Sequence, residues 1–194
     1  MNRFAGIFAT LAMLAAGLAG GLALTAGMLD AAQVPGALRY GPWALWPRAG
    51  VPDADPYTRA FFARRGEIAM APAEGLALYA SRDGAGADLD AACGYSIVGR
   101  IPSARFWTLT AYRPDGSLTE NAARRNGLTS TEAVVGGGEA EITLSADPSS
   151  GNWLPLPAAG RFVILLRLYD TPLVAVSTAL DSDRLPRIVR TGCR

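Results

Sequence analysis

Along most of the chain, apolar and polar positions alternate over short runs broken by Gly, Pro and Asp. A period of two marks strands half-buried in a sheet. Arg161–Tyr169, RFVILLRLY, departs from that pattern. Phe162, Ile164, Leu166 and Leu168 share one face, and Val163, Leu165, Arg167 and Tyr169 the other. A strand apolar on both faces belongs in the middle of a sheet, covered on both sides. The preceding Gly151–Pro157, GNWLPLP, is extended, because Pro155 and Pro157 lack helix donors and bias Leu154 and Leu156 away from helix. Leu76–Arg82, Gly94–Arg100, Arg105–Arg113, Thr131–Val135, Ala140–Ala146 and Leu185–Thr191 read as further strands. Asp83–Gly86, Pro114–Ser117 and Gly136–Gly138 are the turns between them. Leu118–Leu128 is polar and indistinct, and Leu173–Leu180 reads as a short helix or an edge strand. Many short strands with regular turn signals predict a mainly β fold, a β-sandwich.

Two stretches follow a helical pattern. Phe4–Leu29 carries no charge, and as a helix it spans roughly 39 Å against the ~30 Å of a hydrocarbon core. Its length, and the lack of a clean small-x-small site at Leu29–Ala32, favour an uncleaved single transmembrane anchor over a cleaved signal peptide. Residues 30–54 are too rich in Pro and Gly for long regular structure and read as an extended arm. Trp43 and Trp46 in that arm suit either the membrane interface or a clip onto the sheet. Asp55–Gly66 is the one soluble helix, with Asp55 as N-cap, Pro56 at the first position and Gly66 as a left-handed stop. Tyr57, Phe61 and Phe62 are expected to form its buried stripe. The organisation is then an anchor over 1–29, an arm over 30–54 and a sandwich over 55–194.

Composition narrows the chemistry. With 18 basic against 17 acidic residues, there is no electrostatic footprint for nucleic acid. The chain has no His, which removes Ser-His-Asp and Cys-His catalysis, imidazole zinc sites and a His base. Asp83–Asp90, DGAGADLD, misses the calcium-loop spacing and reads as a solvated turn, so neither a metal nor a cofactor is expected. Cys93 and Cys193 are the only cysteines, and in an exported body they are expected to pair. Closing so long a loop is worth on the order of 4–5 kcal/mol in the entropy model.

Arg167 is a charge set into the central strand and needs a carboxylate, for which Asp115, Glu74 and Asp83 are the candidates. It reads either as half of a buried ion pair or as an anion-binding residue at the sandwich mouth. The ligand-binding set is Arg167, Glu74, Asp115, Trp153 and Tyr169, the aromatics as stacking surfaces. Glu74, Asp83 and Asp115 could alternatively supply a glycosidase-like acid–base pair.

Several segments resemble the bacterial family known as domain of unknown function 1214. They are DPYTRAFFARRGE, AEGLALYASRD, CGYSIVGRIPSARFWTLTAYRPDGSL, GNWLPLP, RFVILLRLYDTP and LPRIVRTGC. The resemblance covers about Tyr40 to Cys193 and implies a jelly-roll-like β-sandwich, with no established activity and no catalytic residues to carry over. In that family the domain often follows another uncharacterised domain, and here a membrane anchor stands in its place. The expected protein is a non-catalytic binding or interaction module, held at the inner membrane with its C-terminal domain in the periplasm. Its expected partners are that membrane and a membrane or envelope protein. The alternative is a carboxylate-dependent hydrolase of carbohydrate or ester bonds.

Overall fold

The computed structural model describes residues 2–30, 36–136 and 138–194. Residues 31–35, Gly137 and the cleavage question at Leu29–Ala32 lie outside that description, Leu29 and Asp30 being described in backbone only. The chain forms two compact units, Met1–Pro35 and Gly36–Arg194. The first is helix α1, Asn2–Asp30, whose Phe4–Met28 stretch is apolar and long enough to cross a membrane, with none of it buried. Its two threonines satisfy their hydroxyls internally. Thr10 donates to Gly6 O and Thr25 to Gly21 O, each at 2.9 Å, so neither presents an unbonded donor to an apolar medium.

The second unit contains, in order, β1 (Leu38–Tyr40), β2 (Trp43–Leu45), α2 (Pro56–Arg64), β3 (Gly75–Ala80), β4 (Cys93–Gly99) and β5 (Phe106–Tyr112). There follow β6 (Gly127–Thr129), β7 (Ala140–Ser145), β8 (Asn152–Pro155), β9 (Val163–Tyr169) and β10 (Arg187–Cys193). One six-stranded sheet runs β1-β2-β3-β9-β5-β6 and one four-stranded sheet runs β10-β4-β7-β8. All pairs are antiparallel except β7 with β8. The fold is therefore mainly β and sandwich-like. Its core joins Leu78, Leu109, Ile164, Leu166 and Leu168 of the larger sheet to Tyr95, Ile97, Ile142, Leu144 and Leu154 of the smaller. As its pattern requires, β9 sits between β3 and β5. Gly75 admits β9 closely: a Cβ there would lie 1.9 Å from Leu168 O.

Helix α2 begins where Asp55 accepts the Thr58 N–H at 2.9 Å and stops at Gly66, φ +60. Its buried residues are Thr58, Phe61 and Phe62. Tyr57, expected in that stripe, is 38% exposed, because the face runs through 58, 61 and 62 and leaves 57 at its margin. The arm supplies the β1–β2 hairpin at the sheet edge. Trp43 is fully buried with Nε1 donating to Pro186 O at 2.7 Å, and Trp46 stacks on Phe61 at 4.8 Å between centroids. Both tryptophans are thus clips onto the body, and the interfacial reading is overturned. The strand expected at Thr131–Val135 is also corrected. β6 lies earlier, at Gly127–Thr129, where Leu128 faces Leu109, and Glu132 ends it by accepting the N–H and hydroxyl of Thr129. Leu173–Leu180 overlaps a short 3-10 helix, Pro172–Val176.

Contacts between loops and strands close the sandwich. On one flank, the Gly84 N–H bonds Ile188 O at 2.8 Å, and Arg190 Nε meets the buried Asp83 carboxylate at 3.0 Å. On the other, Arg125 crosses to β8, donating to Trp153 O and lying over the indole. The disulfide Cys93–Cys193 joins directly paired residues of β4 and β10, fastening the last strand to an internal one.

Two outcomes follow. Replacing Cys93 and Cys193 by Ser is expected to cost about 2–5 kcal/mol, read by urea denaturation of the detergent-solubilised chain. Asp55→Ala is expected to cost about 1 kcal/mol at neutral pH. Burial opposes the Asp55 charge, but hydrogen bonds from Thr58 outweigh it and lower the carboxyl pKa. The cap's stability is therefore present above the ordinary carboxyl range near pH 4 and is lost as pH falls through the lower folded value. The variant's deficit should shrink on acidification, and a deficit growing toward acid would contradict the cap.

Candidate functional site

The face of the six-stranded sheet turned away from the core gathers the charged and aromatic groups. Period-two alternation sends Tyr79 of β3, Val163, Leu165, Arg167 and Tyr169 of β9, and Phe106, Thr108, Thr110 and Tyr112 of β5 to this face. Arg167 is flanked in register by Ala77 and Thr108, whose small side chains leave room for a guanidinium. Helix α2 covers one half of the face, with Phe61 and Phe62 packed on Trp46 and Tyr79. The half over β5 and β6 is open, and its Phe106, Thr108, Thr110, Tyr112 and Thr129 are all partly exposed.

Glu67 is the hinge of the arrangement. Its backbone N–H turns back to Phe62 O at 3.0 Å, just beyond the Gly66 stop, which aims the carboxylate at the sheet. Oε1 accepts from the Tyr79 hydroxyl at 2.7 Å and from Arg167 Nη2 at 2.9 Å. Oε2 lies 3.6 Å from Arg65 Nε. Arg167 Nη1 also donates to the Tyr112 hydroxyl at 3.1 Å, with the guanidinium over that ring. The Arg167 side chain is 19% exposed and that of Glu67 12%. Burial drives the Tyr79 phenol well above its ordinary value, and the Glu67 charge adds to this, so Tyr79 stays a protonated donor. Burial works against the Arg167 charge, but the bonds to Tyr112 and Glu67 outweigh it and raise its pKa. The cluster thus holds a fixed guanidinium beside hydroxyls, with its carboxylate engaged on both oxygens.

The residues singled out from the sequence fall into three places. Arg167 and Tyr169 share the outer face, where Tyr169 stands 5.8 Å from the Phe106 ring. Glu74 and Asp115 lie in turns. Glu74 accepts the Ala71 N–H at 2.9 Å, and Asp115 accepts the N–H and hydroxyl of Ser117, which lowers its pKa. Trp153 is on the other sheet, its Nε1 donating to Ser145 O at 3.1 Å. The partner of Arg167 is Glu67, and not Asp115, Glu74 or Asp83 as expected. Asp83 is taken up by Arg190 and by the N–H groups of Ala85 and Ala87. The three acids of the hydrolase alternative are thus each held by their own turn. Glu67 stands 100 positions from Arg167, and only the packing of α2 on the sheet brings the two together. Its one local signal is a charge placed directly after a helix stop.

Glu67→Gln is expected to destabilise the body by about 3 kcal/mol, because it leaves Arg167 without a counter-charge in a dry setting. Arg167→Lys should cost less, since the charge remains. Chemical denaturation of both single variants and the double variant should give a coupling of at least about 1 kcal/mol, and additive effects would contradict the pairing.

A family model described as "Protein of unknown function (DUF1214)" matches residues 74–173. A comparison with curated proteins finds no match. Among solved structures, the chain is similar to the VPA0106 protein from Vibrio parahaemolyticus, at 23% identity and TM-score 0.56, covering 74% of this chain and 37% of that one. It is also similar to an uncharacterized protein from Burkholderia cenocepacia, at 20% identity and TM-score 0.44, covering 74% of this chain and 46% of that one. The chain therefore spans less than half the length of these structures, and the first likeness speaks to the fold alone.

Proposed function

The chain belongs to the family so described, Protein of unknown function (DUF1214), and from that premise we propose a membrane-anchored envelope protein whose exported sandwich binds a ligand or partner without catalysis. The observation that carries the binding reading is the Arg167–Glu67–Tyr112 set, partly exposed where α2 gives way to the β5 half of the sheet face. A guanidinium fixed by a carboxylate and a phenol is suited to recognition. Proton transfer at neutral pH would need a group free to change its charge, and Tyr79 is held protonated. Export is supported by the fully exposed apolar helix, as signal or anchor, together with the disulfide. The single-pass inner-membrane placement, the uncleaved anchor and a jelly-roll-like connectivity are parts of the same proposal. The internally bonded threonines of α1 suit a helix that stays in lipid.

A reporter that is active only after export, fused after Arg194, should be active in whole cells, and the fusion should fractionate with the inner membrane at its full uncleaved mass. Activity confined to the cytosol, or a soluble trimmed product, would overturn the placement. Chromogenic glycosides and esters should show no turnover above that of the Glu74→Gln and Asp115→Asn variants. Turnover lost in either variant with melting unchanged would favour the hydrolase.

A further inference from the structure

Beneath α2 the charges do not balance. Arg65 and Arg167 face one carboxylate, Glu67, with side-chain exposures of 9%, 19% and 12%. The nearby phenols of Tyr79 and Tyr112 add hydrogen bonds but no negative charge. Arg65 Nε is buried without a hydrogen-bond partner, and its Nη1 is spent on Pro114 O at 2.8 Å. The adjoining turn carries Arg113, Asp115 and Glu120, but Glu120 is 92% exposed and these charges are screened by water. A half-dry site with one guanidinium in excess favours an incoming anion.

The open half of the face says what kind of anion. Arg167 has five N–H donors, of which the described residues take two. Thr108 stands opposite Arg167, and Thr110 opposite Leu165. The hydroxyls of Thr108, Thr110 and Tyr169 form no hydrogen bond among the described residues. The Phe106 and Tyr169 rings, tilted at 42°, add an apolar platform at the end of the row. Phe106, Thr108, Thr110 and Tyr169 are all partly exposed in a row along neighbouring strands, which suits a chain lying across them. β5 and β9 are internal strands, so a peptide cannot add to them through its backbone. A single excess cation is too little for a polyphosphate, whose binding scales with the number of phosphates neutralised.

We propose that this face binds a sugar chain bearing carboxylates, with Arg167 on a carboxylate, the threonines on sugar hydroxyls and the Phe106–Tyr169 pair against a sugar ring. This rests on the binding-module reading above and specifies its ligand class. The full chain in detergent, disulfide intact, is titrated calorimetrically with oligogalacturonate and with the same oligomer fully methyl-esterified. The acid form should bind, and the ester at least tenfold more weakly. The double variant Thr108→Val, Thr110→Val and the single variant Tyr169→Phe should each weaken binding several-fold with melting unchanged, and Arg167→Lys tenfold or more. Equal binding of acid and ester, no loss in the threonine variant, or inorganic phosphate competing at equal concentration would each overturn the proposal. No binding to either oligomer would remove the sugar ligand; with the Arg194 reporter still active after export, the membrane-held module would survive that loss. A reporter active only in the cytosol would instead remove the envelope reading, whatever the sugars do.

Discussion

Strand β9 is buried on both faces, and the two faces make different demands. Toward the sandwich it offers Ile164, Leu166 and Leu168, all fully buried, which need only apolar neighbours. On the other side Val163 and Leu165 also need cover, but Arg167 stands beside them. A helix could shield the aliphatic positions alone. The guanidinium also requires a counter-charge at a defined distance, since an unpaired charge in a dry setting costs several kcal/mol. Helix α2 meets both needs by ending over this face and turning at Gly66 to deliver Glu67. The aromatic packing of Trp46, Phe61, Phe62 and Tyr79 holds that helix end in position.

The same economy governs the edges. Sheet edges left open invite pairing with other chains. β10 has its outward carbonyl at Ile188 taken by Gly84, while Trp43 caps Pro186 just before it. At β8, Pro155 withholds a donor, and Arg125 occupies the Trp153 carbonyl. The disulfide then pins the exposed end of β10 to β4. Both edges of the four-stranded sheet thus have backbone groups taken by contacts from elsewhere in the body.

Periodicity and local chemistry were enough to read several things from the chain itself. The two-faced apolar run placed β9 centrally, because a strand with no polar face has nowhere else to go. Asp55, Pro56 and Gly66 bounded α2, because capping is settled by neighbours a few residues away. The charge-free N-terminal run gave the long apolar helix, and two cysteines in a body read as exported gave the disulfide. What the sequence could not decide were matters of partnership across long separations. Whether Trp43 and Trp46 faced lipid or sheet depended on a hairpin joining an edge with no local signature. The pairing that made Gly127–Thr129 a strand, and Thr131–Val135 not one, came from β5 offering Leu109 to Leu128. Above all, the choice of Glu67 over Asp115, Glu74 or Asp83 was made by the packing of α2 on the sheet. An ion pair follows distance in space, and only the tertiary structure converts positions so far apart in sequence into 2.9 Å.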